Sequence, residues 1–107
     1  MINQGDIILI DFAPQKGHEQ TGRRPALVVS NNTFNNRCNL VLACPITSTI
    51  NMFPLHICLD DRTKTQGSIM CEQIRSLDIE SRGYKVLEAI PSDLLEKVID
   101  TIGMEIE

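Results

Sequence analysis

The sequence predicts a mainly β domain with one helix: a small, strongly bent antiparallel sheet of five or six short strands, followed by a C-terminal helix. Three observations carry this. Short runs rich in Val, Ile and Leu recur along the chain, each bounded by Gly, Pro, Asn or charged residues, as short strands separated by turns require. Only one segment, after Pro91, repeats apolar residues at helical spacing. The chain has 107 residues and 42% hydrophobic content, which suits a single domain over residues 1–107 with one modest core.

Gly5-Asp6 opens the first strand, Ile7–Phe12, and Pro14 ends it. Its almost continuous apolar run suits a strand buried on both faces. After a polar stretch, Ala26–Ser30 forms the second strand. The asparagines of 31–36 favour turns or one short helical turn, with Phe34 as its buried anchor. Leu40–Ile46 is the third strand, and Pro45 puts its end at an edge or bulge. Thr47-Ser48-Thr49 begins a hydroxyl-rich loop running to Pro54, Leu55–Leu59 is the fourth strand, and 60–65 is a charged turn. Gly67–Cys71 starts a fifth strand that continues, kinked, through Leu77. Glu80–Gly83 turns the chain into the sixth, Tyr84–Ile90. Ser92 is the expected N-cap of the helix, with Asp93 and Glu96 near its positive end. Leu94, Leu95, Val98, Ile99, Ile102 and Ile106 form its apolar stripe, for packed core or a subunit contact.

No run of about 18 apolar residues predicts a membrane span, and Met1–Asp6 carries no secretory pattern, so a cytoplasmic protein is expected. The four cysteines form no C-x-x-C, and His18 and His56 lie far apart, so neither a metal site, a cofactor nor a disulfide framework is expected. Cys44, Cys58 and Cys71 read as small buried thiols in apolar surroundings. The net charge is −4, all of it carried by residues 91–107. The first 90 residues balance nine acids with nine bases. An extended groove tracking many phosphates does not fit that balance; a short nucleic-acid contact does.

The chemistry-bearing residues fall in three polar clusters near strand ends. The first, Gly17-His18-Glu19-Gln20-Thr21-Gly22-Arg23-Arg24-Pro25, packs an imidazole, a carboxylate, a carboxamide, a hydroxyl and two guanidiniums into nine residues. The others are Thr47-Ser48-Thr49 and Glu72-Gln73. Converging on one face, these groups suit phosphoryl chemistry on RNA, where the substrate's own 2′-hydroxyl attacks the adjacent phosphorus. Such a site needs a base, an acid and cationic support for the phosphorane, and the Arg24 fork matches phosphate geometry. Each cluster also has a plain structural reading: a surface charge, a turn, a solvated strand face. No G-x-S-x-G supports Ser48 as a nucleophile, and pairing Cys71 with a histidine has no better support.

Gly5-Asp6-Ile7, Asp11-Phe12, Pro14 and Lys16–Pro25 together resemble the N-terminal signature of the MazF/PemK toxin endoribonucleases. Pro45-Ile46-Thr47-Ser48 resembles their strand-to-loop threonine motif, and Cys71–Asp78 their acidic-Gln-x-Arg segment. The resemblance covers essentially the whole chain. It implies an SH3-like (MazF/CcdB-type) barrel of five to seven antiparallel strands with a C-terminal helix, and usually a homodimer. It implies metal-independent, sequence-selective cleavage of single-stranded RNA, chiefly mRNA, leaving a 2′,3′-cyclic phosphate and a 5′-hydroxyl. It also implies a cognate, MazE-like antitoxin whose acidic tail occupies the RNA site.

Carried over by motif, Arg24 matches the family's catalytic arginine and Thr47 its phosphate-contacting threonine. Glu72 is a second catalytic candidate. Glu19 and Gln20 match positions near the substrate, Ser48 lies beside the scissile phosphate in related members, and His18 agrees with the PemK branch. Arg23, Thr49 and Phe53 complete the expected substrate contacts. That branch's proposed acid–base pair, an Arg and an Asp, reads here as Met70 and Glu72, so its proton-shuttle scheme does not transfer intact. The loops at 13–23, 47–54 and 60–66 are where an RNA sequence would be read. The alternative of the same fold, a CcdB-type gyrase poison, relies on a C-terminal Trp-Gly-Ile; this chain has no tryptophan and ends Met104-Glu105-Ile106-Glu107. An inactive interaction barrel is the third reading, and the presence of both Arg24 and Thr47 argues against it.

Overall fold

A computed structural model describes residues 2–12, 23–49 and 53–107. The strands are β1 (Asp6–Asp11), β2 (Arg23–Val28), β3 (Leu40–Thr47), β4 (His56–Cys58), β5 (Ser68–Met70), β6 (Arg75–Asp78) and β7 (Tyr84–Ala89). Two short helices, α1 (Asn32–Cys38) and α2 (Ile79–Arg82), precede the 15-residue α3 (Ser92–Ile106). All pairings are antiparallel, in the order β4-β5-β3-β2-β1-β7, with β6 also on β3. The described strands form a strongly bent open sheet, not a closed barrel: β4 and β7 are its two unjoined ends. Among the described residues, no helix is long and apolar enough to cross a membrane.

The continuous apolar run of β1 is explained by burial on both faces. Ile7 joins Leu27, Cys44, Ile46 and Ile69 in a core covered by Leu94, Val98 and Ile102 of α3. Ile8 and Ile10 point the other way, into a second core with Ala26, Val28, Val41, Ala43 and Leu77. Alternation along one strand thus feeds two cores.

The expected kinked fifth strand is two strands, β5 and β6, separated by a 3-10 turn at Cys71–Gln73. β5 pairs with the end of β3 and β6 with its beginning, on the same edge. Pro45 sits opposite the gap. It lies in a central strand, paired with Ala26, and not at a sheet edge. Leu42 directs its backbone N–H to Ser30 and its carbonyl to Val29, toward β2. Pro45, an odd number of residues on, therefore presents its donor-less nitrogen to the break between β5 and β6, where no ladder bond is lost.

Several local expectations are corrected. Asn35, not Phe34, anchors α1: it is buried and its Nδ2 donates to the Ser30 carbonyl at 3.1 Å, whereas Phe34 is half-buried. The position before α3 is held by Pro91, without a side-chain cap, and Ser92 is the first helical residue. The buried stripe of α3 narrows to Leu94, Val98 and Ile102, leaving Ile99 and Ile106 exposed. Cys44 and Cys71 are buried, but Cys58 is exposed because β4 is an end strand. Burial, the Glu105 carboxylate and the Glu72 carboxylate push the Cys71 thiol up to about 12, so it is inert at neutral pH.

Candidate active site

β2 and β3 run antiparallel with Ala26 opposite Pro45. Continuing that register by two residues sets Arg24, at the start of β2, across from Thr47, at the end of β3. Both side chains line one cavity of about 300 Å³, together with Pro25, Ile46, Ser48 and Gln66. Among the described residues its walls therefore carry a guanidinium, two hydroxyls and a carboxamide, and no carboxylate. Arg24 is exposed and makes no ion pair or hydrogen bond among the described residues. The Thr47 Oγ1 accepts the Thr49 backbone N–H at 3.2 Å, which fixes the hydroxyl and leaves its hydrogen to be donated elsewhere. Cation and hydroxyl donors around an open cavity at two strand ends make a receptor for a tetrahedral oxyanion.

The Gln66 wall was not apparent in the sequence. It rests on Gly67, whose φ of +123° lies outside the range ordinary side chains favour. A Cβ there would collide with the Thr47 carbonyl oxygen. Backbone passes over backbone at this point, and that brings Gln66 to the cavity. The preceding turn is tied down at two places. Arg62 bonds Asp60 and, across to α3, Asp93, each at 2.9 Å. Glu88 on β7 accepts from the Lys64 N–H at 3.1 Å and from the Thr65 N–H and Oγ1 at 2.8 Å. Burial would raise the Glu88 carboxyl, but the Thr65 amide and hydroxyl and the Lys64 amide hold it low instead.

Other expected site residues lie apart from this cavity. Arg23 is opposite Asp11 and alternates to the other face of β2 from Arg24. Thr49 is exposed just beyond Ser48. Glu72 is not among the lining residues: its Oε2 lies 3.0 Å from His56 Nε2, and its Oε1 is buried with no hydrogen-bond partner among the described residues. His56 packs edge-on against Phe53, with ring centroids 4.9 Å apart. Phe53 itself is 46% exposed. His18, Glu19 and Gln20 lie outside the described residues. His56 is the second group that sequence reasoning missed; its pairing across sixteen residues follows only from the β4–β5 register.

Comparisons with known proteins bear on the family and the fold. Residues 3–104 match the family model of the PemK-like, MazF-like toxins of type II toxin–antitoxin systems. The chain is 34% identical to an Escherichia coli protein named endoribonuclease PemK, over 95% of this chain and 80% of that one. It is 35% identical to the endoribonuclease toxin MazF of Escherichia coli K12, over 76% and 72% of the two chains. Among solved structures, a MazE–MazF complex from Deinococcus radiodurans superposes with a TM-score of 0.90 at 36% identity, covering 98% of this chain and 95% of that one. A MazF structure from the same organism gives 0.86 at 36% identity, covering 98% and 96%. With one family matched over nearly the whole chain and the same fold in its relatives, this chain belongs to the PemK-like, MazF-like toxins of type II toxin–antitoxin systems.

Proposed function

We propose that this chain is a sequence-selective endoribonuclease toxin that cleaves single-stranded RNA, chiefly mRNA, without a metal ion and thereby arrests translation and growth. The observation that carries the reading is the shared cavity of Arg24 and Thr47, with Ser48 and Gln66 at its rim. The names of its relatives, endoribonucleases PemK and MazF, supply the reaction class.

In this scheme the 2′-oxygen forms a bond to phosphorus as the bond to the 5′-oxygen breaks. The proton lost from the 2′-hydroxyl goes to a base, and the departing 5′-oxygen takes up a proton. The products carry a 2′,3′-cyclic phosphate and a 5′-hydroxyl. Negative charge gathers on the non-bridging oxygens between these events. Arg24 stabilises it with its planar fork, and the Thr47 hydroxyl donates a hydrogen bond beside it. A guanidinium with a pKa above roughly 12 is a poor proton donor, so charge stabilisation is its role. Arg23, Ser48, Thr49, Phe53 and the preceding His18, Glu19 and Gln20 contact the strand on either side.

A homodimer and a MazE-like antitoxin complete the assembly. The MazE–MazF complexes among its structural relatives support the second of these. An acidic antitoxin tail would avoid α3, with Asp93, Glu96, Asp100 and Glu105, and take the place of RNA at Arg23 and Arg24. Its binding is expected to weaken steeply as salt rises; affinity indifferent to ionic strength would refute electrostatic competition.

The direct test is cleavage of a long defined RNA with end-group analysis. The unsubstituted protein should give cyclic-phosphate ends and keep its activity in chelator. Arg24→Ala should lower the rate by about 10²-fold or more while folding is intact. Full activity in that variant would overturn the assignment.

A further inference from the structure

We propose that His56 and Glu72 form a positioning pair holding Phe53 as a stacking platform for one base of the RNA, beside the Arg24–Thr47 cavity. This inference rests on the ribonuclease reading and assigns it a base subsite.

The imidazole is the centre of the arrangement. His56 is only 7% exposed at its side chain, with Nε2 at 3.0 Å from Glu72 Oε2. Its backbone N–H donates to the Phe53 carbonyl at 3.0 Å, and its ring meets the Phe53 ring at 64°. One residue thus grips Phe53 by main chain and side chain at once. Glu72, from the 3-10 turn, fixes the angle of the imidazole. A carboxylate that binds a buried ring in this way, and does not line the cavity, acts through that ring.

The strand register sets where the platform lies. Thr47 is opposite Ser68, and Ser68 is opposite Cys58. Residues paired across antiparallel strands share a face, as do residues two apart. Thr47, Ser68 and Cys58 therefore lie on one face with Met70 and its partner His56. Two strand spacings of about 4.8 Å and two residues of about 3.3 Å separate Thr47 from His56 by roughly 12 Å. A nucleotide neighbouring the one at the phosphate cavity reaches that far. Single-stranded RNA is characteristically held by bases splayed onto aromatic rings. The other phenylalanines are differently engaged: Phe12 lies under the Arg75 guanidinium at 5.1 Å and packs against the second core, and Phe34 is half-buried on α1.

The test measures cleavage of a short RNA carrying one mapped cut site, and binding of its fully 2′-O-methylated, uncleavable counterpart. Phe53→Ala and His56→Ala should each raise KM about tenfold with kcat within about threefold, the loss of one stacked base. Combining them should add little, because both remove the same platform. His56→Gln keeps an N–H donor toward Glu72 and Glu72→Gln keeps an acceptor, so both should lie closer to the unsubstituted protein than their alanine counterparts. The inference is overturned if Phe53→Ala leaves KM and binding unchanged, or if Glu72→Gln lowers kcat as far as Arg24→Ala does. Should His56→Ala fail to fold, the half-exposed Phe53 still decides the matter. Failure of the unsubstituted protein to cut RNA would instead sink the ribonuclease reading, so the two failures are distinct.

Discussion

Arg24, at the start of β2, and Arg62, in the 60–66 turn, are both surface guanidiniums, yet the fold uses them in opposite ways. Arg62 lies between two carboxylates, bonding Asp60 through Nε and Nη2 and Asp93 through Nη1 and Nη2. The hydrogen bonds from Arg62 hold both acids below their ordinary range, and the two acids in turn raise Arg62. Its charge is consumed in stapling the 60–66 turn to the start of α3. Arg24 has no ion-pair partner among the described residues, and it faces a cavity walled by hydroxyls and a carboxamide. An arginine already satisfied by carboxylates is structure, whereas one held beside donors of its own kind lacks only an anion. A neutral hydroxyl can accept a hydrogen bond from a guanidinium but cannot offset its charge. A phosphoryl group gives both of them a partner.

The largest expected effect tests that contrast at its sharper end. Arg24→Ala removes no side-chain hydrogen bond or ion pair among the described residues, so it should lower cleavage by about 10²-fold or more while moving stability by no more than about 0.5 kcal/mol. Arg24→Lys should recover part of the rate, because the charge returns without the bidentate fork. Cleavage rates and thermal melts on the same preparations check both. A large fall in melting temperature for Arg24→Ala would put this arginine in the same class as Arg62 and break the comparison.

The opposite wall depends on backbone clearance instead of charge. Gly67→Ala adds a methyl group where the Thr47 carbonyl already stands, at a φ of +123°. The neighbour is main chain, so neither partner can swing aside. A loss of about 2 kcal/mol or more is expected, lowering the melting temperature by at least about 8 °C for a chain of this size. Cleavage should fall further than stability explains, since Thr47 and Gln66 are displaced together. If the alanine variant melts normally, the close approach does not set the cavity's shape.

How much of this was legible in the sequence follows from the range of each interaction. The strands and α3 were readable because their signals are local: apolar runs, alternation, and one stripe at helical spacing. Arg24 and Thr47 were readable as residue types in family-like motifs, but their cross-strand opposition depends on a β2–β3 register that no local signal carries. Gln66 was missed because a carboxamide in a charged turn looks solvated. Its position depends on Gly67 clearing a carbonyl twenty residues earlier in the chain. His56 was missed and Cys58 misjudged for one reason, namely that alternation gives the faces of β4 without telling that β4 ends the sheet. At an end strand a thiol between apolar neighbours is exposed, while the histidine two residues before it is buried against a turn.

The smallest expected effect is at Arg62. Its partners Asp60 and Asp93 are 41% and 59% exposed at their side chains, and isolated surface ion pairs contribute little. Arg62→Ala should therefore leave cleavage chemistry intact and change stability only slightly at neutral pH, with the difference shrinking further in high salt. Acid should reveal what remains. Asp60 and Asp93 have lower pKa values folded than unfolded, so their contribution is present above the unfolded carboxylate range near 4. It disappears as pH falls through the lower, folded values. The unsubstituted protein should lose stability along that limb more steeply than Arg62→Ala does, and the two should converge once both acids are protonated. Melts from pH 7 down to about 2 would follow this difference. Parallel curves would mean that the turn bearing Gln66 is held chiefly by Glu88 and its three hydrogen bonds to Lys64 and Thr65, leaving Arg62 as an ornament of the surface.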